Sequence, residues 1–258
     1  MQKVFILIIL LGFSYSPALS QSKSRAGNAS SAAASVNPFH EVDSLMTFGE
    51  DNERDKQSLE IAEKALSSDG NNYQWLWRVA RACYFVGDNV AKADKLRYFE
   101  RGIDVGERAT AQLPDAVEGH FWLAVNYGGY AEQKGVFKAL RTVKKIRAEM
   151  ETVLRLNDRY QNGGAYHALG EMDRELPRLF GGNLQRSISR LEQGVGIAPD
   201  NLEMKFVLAR AYQDAKRKED ARRQLQDIIG RPVNHSRAKA DRNVQEKARR
   251  MLDELGSR

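Results

Sequence analysis

The sequence predicts an all-α protein in which helical hairpins stack side by side, and three observations support that prediction. Apolar residues recur at three- and four-residue spacing from Pro38 onward, without the strict alternation that is typical of strands. Clusters of Gly, Asn, Asp and Pro interrupt this pattern at 69–71, 114–115, 162–164 and 199–201, where helices stop and start. A pair made of one aliphatic and one small residue recurs along the chain, which indicates an internal repeat.

The first element, residues 1–20, has the layout of a secretory signal peptide. A short basic start precedes an apolar run over 4–13 and a small-x-small cleavage site at 18–20. The apolar run is short for a bilayer span, and an uncleaved anchor is the alternative. The cleavage site has no cysteine, which excludes lipid attachment there. We therefore expect a protein that is periplasmic or secreted after cleavage of the signal peptide.

The second element, residues 21–38, is rich in serine and alanine and has no aromatic residue. Such a segment cannot bury enough apolar surface to offset its ordering entropy, so we expect a flexible linker. Residues 39–258 are then expected to form one helical repeat domain. The chain has one cysteine, Cys83, which excludes an intrachain disulfide and a zinc site built of several cysteines.

The last repeat shows the spacing most clearly. Its pattern is Leu208-Ala209, then Tyr212, then Ala221, Leu225 and Ile228 on a second helix, then Pro232. This resembles the tetratricopeptide repeat, in which a small residue lets two paired helices approach closely and bulky neighbours fill the remaining space. The equivalent small residues of the four repeats are Ala80, Ala124, Gly170 and Ala209. An unrelated helical bundle is the alternative.

The repeats differ in length. The small residues of the first and second helices are 12 residues apart in the last repeat, 22 in the first two and 17 in the third. The first two repeats therefore carry ten extra residues each, and the third carries five. An earlier half-repeat fits Ser58, Ala62, Ala65 and Gly70. Residues 236–255 show one apolar stripe with basic flanks, so the predicted fold is a tetratricopeptide-like helical-hairpin solenoid with long inserted helices and a C-terminal capping helix.

Three segments resemble a narrower family. Residues 75–82, 119–124 and 165–183, together with the inserted helices, are similar to the T component of tripartite ATP-independent periplasmic (TRAP) transporter systems. The run Trp77-Arg78-Val79-Ala80-Arg81-Ala82 also resembles the regulator of microtubule dynamics family, which has a similar repeat array. The T-component resemblance implies a periplasmic protein that oligomerises and partners a substrate-binding protein, with a hydrophobic ligand as a further option. Members of that kind are often lipid-anchored, and this chain lacks the cysteine for it.

In a helix-pair array the first helices line the concave face, so residues at the groove positions of each repeat are candidates for binding. These predicted binding residues are Trp77, Arg81, Tyr84, Phe121, Val125, His167, Glu171, Phe206, Arg210 and Gln213. A further groove position holds Gln74, Glu118, Gly164 and Glu203. Aromatic side chains beside mixed charges suit an extended peptide or an amphipathic helix. The alternative is that the aromatic residues pack between helices, because the insertions rotate the frame.

The sequence offers no catalytic motif, and we predict no enzymatic activity, no metal and no cofactor. The four histidines are scattered, without the spacing of zinc ligands. Gly194-Val195-Gly196 lacks the third glycine of a dinucleotide-binding loop. Basic residues near the C-terminus alternate with acidic ones, which favours a solvated face over nucleic-acid binding, with weak attraction to anionic membranes as a third interpretation.

Two functions remain in competition. The first is a non-enzymatic exported scaffold, a homo-oligomer in one version, that binds a protein or peptide such as a periplasmic substrate-binding protein and serves as a TRAP transporter accessory. The second is a periplasmic carrier of a small apolar ligand held among the aromatic residues of the first two repeats, which include Trp75, Tyr84, Trp122, Tyr127 and Tyr130. A purely structural envelope protein is the third alternative.

Overall fold

A computed structural model describes residues 37–134, 136–234 and 237–256, with the side chains of 136–141 left out. The predicted signal peptide and the predicted linker as far as residue 36 lie outside the described residues. The regular elements in the described part are all helical, which confirms the predicted fold class. The helices are α1 (His40–Leu45), α2 (Asn52–Ser68), α3 (Tyr73–Asn89), α4 (Lys92–Gln112), α5 (Val117–Lys134), α6 (Val136–Asn157), α7 (Gly164–Glu175), α8 (Leu184–Ile197), α9 (Leu202–Asp214), α10 (Lys218–Gly230) and α11 (Ala238–Gly256), with a short 3-10 helix at Arg178–Phe180.

Helices end and begin where the sequence predicts. The breaks at 69–72, 113–116, 158–163 and 198–201 each contain a predicted cluster of turn residues. Asp51, Asn72, Asn183 and Asn201 accept hydrogen bonds through their side chains from backbone N–H groups at the starts of α2, α3, α8 and α9. These N-caps satisfy donors that the first turn of a helix leaves free, so they fix the start of each helix. In the described part of the chain, no helix combines the length and the apolar character that a bilayer crossing needs.

Successive helices pair, and the pairs stack. In each pair an odd-numbered first helix packs on the next, even-numbered helix, and α3 contacts α5, α7 contacts α9 and α9 contacts α11. Contacts between successive first helices are what a solenoid of hairpins produces. The last helix, α11, is the predicted capping helix: it packs on α9 and α10 and covers the apolar end of the array.

Small residues sit at the helix crossings. Ala80, Ala124 and Ala209 are fully buried. A Cβ placed on Gly170 would lie 2.6 Å from Cγ of Leu191, so only glycine fits between α7 and α8 at this point. Gly129 is another close approach: a Cβ there would lie 2.4 Å from the ring of Phe99, and α5 continues through the glycine as a regular helix.

The extra residues of the first three repeats take two forms. In the first two hairpins they lengthen the helices themselves, so α3 to α6 have 17, 21, 18 and 22 residues, against 13 in α9 and in α10. In the third hairpin they lie in the connection 176–183, which replaces a short turn such as 215–217. That loop exposes Leu179 and Phe180.

The N-terminal half-repeat of the sequence prediction is a whole hairpin with a shortened first helix. Ser58 Oγ of α2 donates a hydrogen bond of 2.9 Å to the carbonyl of Val42 in α1. In the third hairpin Ser187 Oγ donates an equivalent bond of 2.7 Å to the carbonyl of Gly170. The prediction was therefore incomplete, because α1 is too short to show a helical period in the sequence.

Two hydrophobic cores divide the array. The first runs from Val42 to Leu176 and contains a chain of aromatic rings, and the second runs from Ile188 to Leu255 and is mostly aliphatic. The division falls between α7 and α8, at the loop 176–183. The aromatic chain of the first core is built by Phe85, Trp122, Phe121 and Tyr160, with successive ring centroids 5.1 to 5.7 Å apart.

Candidate binding face

The candidate site is the first-helix face, defined as the surface of α1, α3, α5, α7, α9 and α11 that points away from the paired second helices. Along this surface α3 contacts α5, and α9 contacts both α7 and α11. The sequence places ten predicted binding residues there, and the structure distributes them unevenly between the two halves of the molecule.

In the first two long hairpins the predicted residues are buried. Trp77, Arg81, Tyr84, Phe121 and Val125 are all at most 9% exposed. Their place in the core agrees with the alternative that insertions turn them between helices, and their role in binding remains a prediction.

The chain itself covers the α3 part of the face. Asp43 of α1 lies 2.8 Å from Nη2 of Arg78 and 2.7 Å from Nη2 of Arg81. The guanidinium of Arg78 also stacks on the ring of Trp77, 4.1 Å from the centroid, and on Phe39, 4.3 Å from the centroid. Cations over aromatic faces are attracted by the ring quadrupole, so α1 is fixed on α3 by charge and by stacking together.

The same positions are also buried in the third hairpin and are more open only in the fourth. His167 and Glu171 on α7 are 5% and 6% exposed, whereas Phe206, Arg210 and Gln213 on α9 are partly exposed. An aromatic ring, a cation and an amide thus line one open face of α9, three to four residues apart, where successive turns place them side by side.

Glu171 is the most unusual of the predicted residues. In the part of the chain that the structure describes, its carboxylate has no hydrogen bond or ion pair. Burial raises the pKa of Glu171 to about 7, although the nearby charges of Arg174 and Arg210 act in the opposite direction. The charges of Glu203 and Glu132 raise it further. An acid that is deprived of water and of partners favours its neutral form, which is the direction seen here.

Glu203, one turn before Phe206 on α9, is similar. Its carboxylate also makes no hydrogen bond or ion pair among the described residues. Burial raises the pKa of Glu203, and the charges of Lys247, Arg237 and Arg210 limit the shift. For His167, burial lowers the pKa to about 4, so this imidazole is neutral at physiological pH.

Ion pairs beside these carboxylates join α7 to α9. Nη1 of Arg174 lies 2.8 Å from Asp214, and Nη2 of Arg210 lies 3.2 Å from Glu175. Arg174 also pairs with Glu175. The sequence analysis missed Arg174 and Asp214, although helical spacing could have identified them. Arg174 follows Glu171 by three residues and Asp214 follows Arg210 by four, so each lies on the same helix face as a predicted residue.

A second cluster lies around Asp173, which occupies a slot where the repeat pattern expects an aromatic residue. Its side chain is fully buried and lies 2.6 to 2.8 Å from nitrogens of Arg147, Arg186 and Arg190. Its backbone carbonyl accepts a hydrogen bond of 2.7 Å from the N–H of Asn183. Asp173 therefore anchors the loop 176–183 and three helices at the division between the two cores.

A cleft of about 480 Å³ lies on the opposite side, between α4, α5 and α6. It is lined by Glu100, Ile103, Glu107, Tyr127, Tyr130, Thr142 and Lys145. Lys145 Nζ donates a hydrogen bond of 3.0 Å to the hydroxyl of Tyr127, which also bonds to Glu107. The lining is thus partly aromatic and partly charged.

The described part of the chain holds neither a metal-binding cluster nor a reactive thiol. There, no group of three or more His, Cys, Asp or Glu side chains could hold a metal ion. Cys83 is fully buried in the first core, and burial, with a smaller effect from the charge of Glu63, raises the pKa of its thiol. A thiol of that kind is not a nucleophile.

Comparisons with known proteins divide the chain at the same place as the cores. Residues 39–179 match the family model of regulator of microtubule dynamics protein 1-3, and residues 181–240 match a tetratricopeptide-repeat model. No functionally curated protein matches the sequence significantly.

Among solved structures, a thermophilic tetratricopeptide-repeat protein of Thermus thermophilus, TTC0263, is similar in fold. Its TM-score is 0.60 at 19% identity, with 84% of this chain and 97% of that chain covered. MamA gives a TM-score of 0.48 at 14% identity, over 77% of this chain and 92% of that chain.

Proposed function

The chain belongs to the regulator of microtubule dynamics protein 1-3 family, and we propose that it is a non-enzymatic exported scaffold that binds a protein or peptide through its first-helix face. Tetratricopeptide-like repeats give it the architecture of an interaction scaffold. The observation that carries the proposal is the open surface of α9. There Phe206, Arg210 and Gln213 remain partly exposed, while the equivalent residues of α3, which are Trp77, Arg81 and Tyr84, are buried.

An open aromatic residue beside a cation and an amide has the composition of a binding surface. Aromatic and arginine side chains contribute most of the binding energy at protein interfaces, and amides supply directional hydrogen bonds. The long hairpins of the first half supply a rigid support, because their first helices are enclosed in an aromatic core.

The experiment compares partner capture by the wild-type protein and by two variants. Immobilised protein is mixed with envelope extract, and the bound proteins are quantified by mass spectrometry. F206A/R210A is expected to lose a defined partner, whereas L113A, which alters an exposed apolar residue at the α4–α5 turn, is expected to retain it. Equal recovery by F206A/R210A and wild type would contradict binding through this face.

The export, the transporter role and the partner are finer parts of the same proposal. The signal-peptide pattern over 1–20 motivates a periplasmic or secreted location, which fractionation of cells expressing the tagged protein tests directly. The resemblance to TRAP T components motivates a substrate-binding protein as partner and a transporter accessory role. The family name also makes tubulin a partner to include in the binding test.

The carrier function is the second candidate, and the cleft between α4, α5 and α6 favours it. A volume of about 480 Å³ is sufficient for a small organic molecule, and Tyr127, Tyr130 and Ile103 supply apolar surface. Native mass spectrometry of the purified protein tests it. A co-purified small molecule that is lost in Y130A but retained in F206A would support the carrier function.

A further inference from the structure

The connection between α7 and α8 holds large apolar side chains in water. Leu179 is 87% exposed and Phe180 is 42% exposed. Among the described residues, Leu113 is the other large hydrophobic residue that is exposed. A single exposed apolar residue is common on a protein surface, but two adjacent ones lie here on a segment that the hairpin of α9 and α10 lacks. The repeat fold therefore does not require them. We name residues 178–180 the loop tip.

Hydrogen bonds fix the backbone of this connection. The N–H groups of Phe180 and Gly182 both donate to the carbonyl of Pro177, at 2.9 Å and 3.1 Å. A Cβ on Gly182 would overlap the carbonyl oxygen of Leu176, so the turn requires glycine at this position. The loop tip is therefore a defined turn that presents its two apolar side chains in one arrangement.

Guanidinium groups lie directly behind the loop tip. Nη2 of Arg186 donates a hydrogen bond of 2.6 Å to the carbonyl of Gly181, and Nη2 of Arg147 donates one of 3.4 Å to the same oxygen. Both arginines also pair with the buried carboxylate of Asp173, at 2.6 Å and 2.8 Å. The cations that anchor the connection are thus in contact with the segment that carries Leu179.

Positive charge is in excess at this place. Four arginines lie at the loop tip or behind it, which are Arg147, Arg178, Arg186 and Arg190. In the described part of the chain, the carboxylates that pair with them are those of Asp173 and Glu151. Arg178 is exposed and makes no ion pair among the described residues, and the side chain of Arg186 is 42% exposed. This part of the surface therefore attracts anions.

The size of the apolar surface distinguishes a membrane from a protein partner. A stable protein interface covers about 800 Å² on each partner, with an apolar centre. The loop tip offers only two neighbouring apolar side chains. A membrane surface requires less contact, because a small apolar insertion and the attraction of basic residues to anionic lipids add together. Apolar side chains beside unpaired arginine charge have this combination.

We propose that the loop tip docks on a membrane surface that contains anionic lipids. Leu179 and Phe180 enter the boundary between headgroups and acyl chains, and Arg178 contacts lipid phosphates beside them. The hydrogen bonds within the turn favour this insertion, because backbone N–H groups that already have acceptors cost little to remove from water. The loop tip lies outside the first-helix face, so the proposal goes beyond the scaffold function and does not depend on it.

The test measures binding of the full chain to vesicles of phosphatidylcholine mixed with phosphatidylglycerol, and to vesicles of phosphatidylcholine alone. Wild type is compared with L179S/F180S and with R178E by co-sedimentation. L113S is the control for loss of an exposed apolar side chain, and R223E, on α10, is the control with the same net charge as R178E. All variants share residues 1–36, so any binding by that segment is common to them.

A further variant, F180W, reports the environment of the loop tip directly. The three native tryptophans, Trp75, Trp77 and Trp122, are at most 9% exposed. The indole introduced by F180W is therefore the one that a vesicle reaches. Insertion shifts its emission to shorter wavelength, and lipids with brominated acyl chains then quench it.

We expect wild type, L113S and R223E to bind the anionic vesicles with similar affinity, and L179S/F180S to bind them at least about tenfold more weakly. R178E should bind more weakly than R223E, although the two variants have the same net charge. The emission of F180W should shift with anionic vesicles and not with phosphatidylcholine alone. The melting temperature of L179S/F180S should equal that of wild type, because both side chains are exposed.

Equal affinity of wild type and L179S/F180S for the anionic vesicles would overturn the proposal, as would an F180W emission that these vesicles leave unchanged. If wild type does not bind the vesicles while L179S/F180S loses a protein captured from envelope extract, the loop tip contacts a protein and the proposal is wrong. F206A/R210A, altered on α9, should retain vesicle binding. Failure of the vesicle test therefore leaves the scaffold function standing, and loss of partner capture by F206A/R210A tests that function separately.

Discussion

The two halves of the array use the same repeat positions for different purposes. In the first half, the groove positions of α3 and α5 are buried beside an aromatic core, and Asp43 of α1 pairs with Arg81 at one of them. In the second half, the groove positions of α9 remain partly open. The position of a residue within a repeat therefore does not decide its role. The decisive factor is what packs on the residue: Asp43 of α1 pairs with Arg81 of α3, whereas Trp122 and Tyr160 pack on Phe121 of α5.

Phe121 and Phe206 test this contrast most directly, because they occupy the same repeat position. Phe121 is 2% exposed and its ring contacts Trp122 and Tyr160. F121A is expected to reduce the free energy of unfolding by about 3 to 5 kcal/mol, since it leaves a cavity in a packed core. F206A is expected to reduce it by only about 1 kcal/mol. Urea unfolding measures both, and equal losses would abolish the distinction between the halves.

Asp173 tests the junction between the halves. Its buried carboxylate is shared by three arginines, so D173N removes the negative charge that lies among them and is expected to cost about 3 kcal/mol. The loop 176–183 should then become accessible to proteases. D220N, which removes a partly exposed partner of Arg217 and Arg223, should lower the melting temperature far less than D173N. Resistance of the loop in D173N would argue against the anchoring role.

Glu171 gives the open half a pH dependence. Its pKa is about 7 in the folded chain and about 4.5 in the unfolded chain, so the folded state binds more protons. The stability that the neutral form provides is complete below pH 4.5 and is lost as the pH rises through 7. At pH 8 the free energy of unfolding of E171Q is therefore expected to exceed that of wild type by roughly 2 to 3 kcal/mol, so the variant unfolds at a higher denaturant concentration. At pH 4.5 the two proteins are expected to unfold at the same concentration. A difference that does not change with pH would assign the effect to packing instead.

Substitution of Asp43 is expected to have the smallest effect on stability. Burial raises its pKa, but the hydrogen bonds and charges of Arg78 and Arg81 outweigh burial and lower it below the usual value. The stabilisation is present above pH 3.8 and is lost below it. Because the carboxylate is 38% exposed, D43N is expected to cost only about 1 kcal/mol. Hydrogen exchange should be faster in α1 of D43N than in α1 of wild type, and it should be unchanged in α9.

Much of the fold follows from local sequence. Helix breaks are encoded by Asn, Asp, Gly and Pro, and the crossings by single small residues such as Ala80 and Gly170, so both can be predicted without coordinates. The form of the insertions could not be predicted, because ten extra residues are compatible with a longer loop or with longer helices. Only the packing of α4 and α6 against α5 selects the longer helices.

The candidate site was less predictable than the fold. The spacing of the repeats identifies Glu171 and Arg210 as candidates, but it does not show which side chains of other helices lie beside them. Asp173 shows this limit most clearly: its three arginines come from α6 and α8, and the pattern marks Asp173 merely as a departure. Whether Trp77 faces a partner or the core depends on how other helices pack around it, which the spacing of residues on α3 does not show.

The single cysteine makes it possible to measure how often the first half of the protein opens. Cys83 is sealed inside the aromatic half, so a thiol-alkylating reagent can modify it only while that half is open. The rate of modification therefore reports how often the long hairpins open, while the other half contributes no background signal.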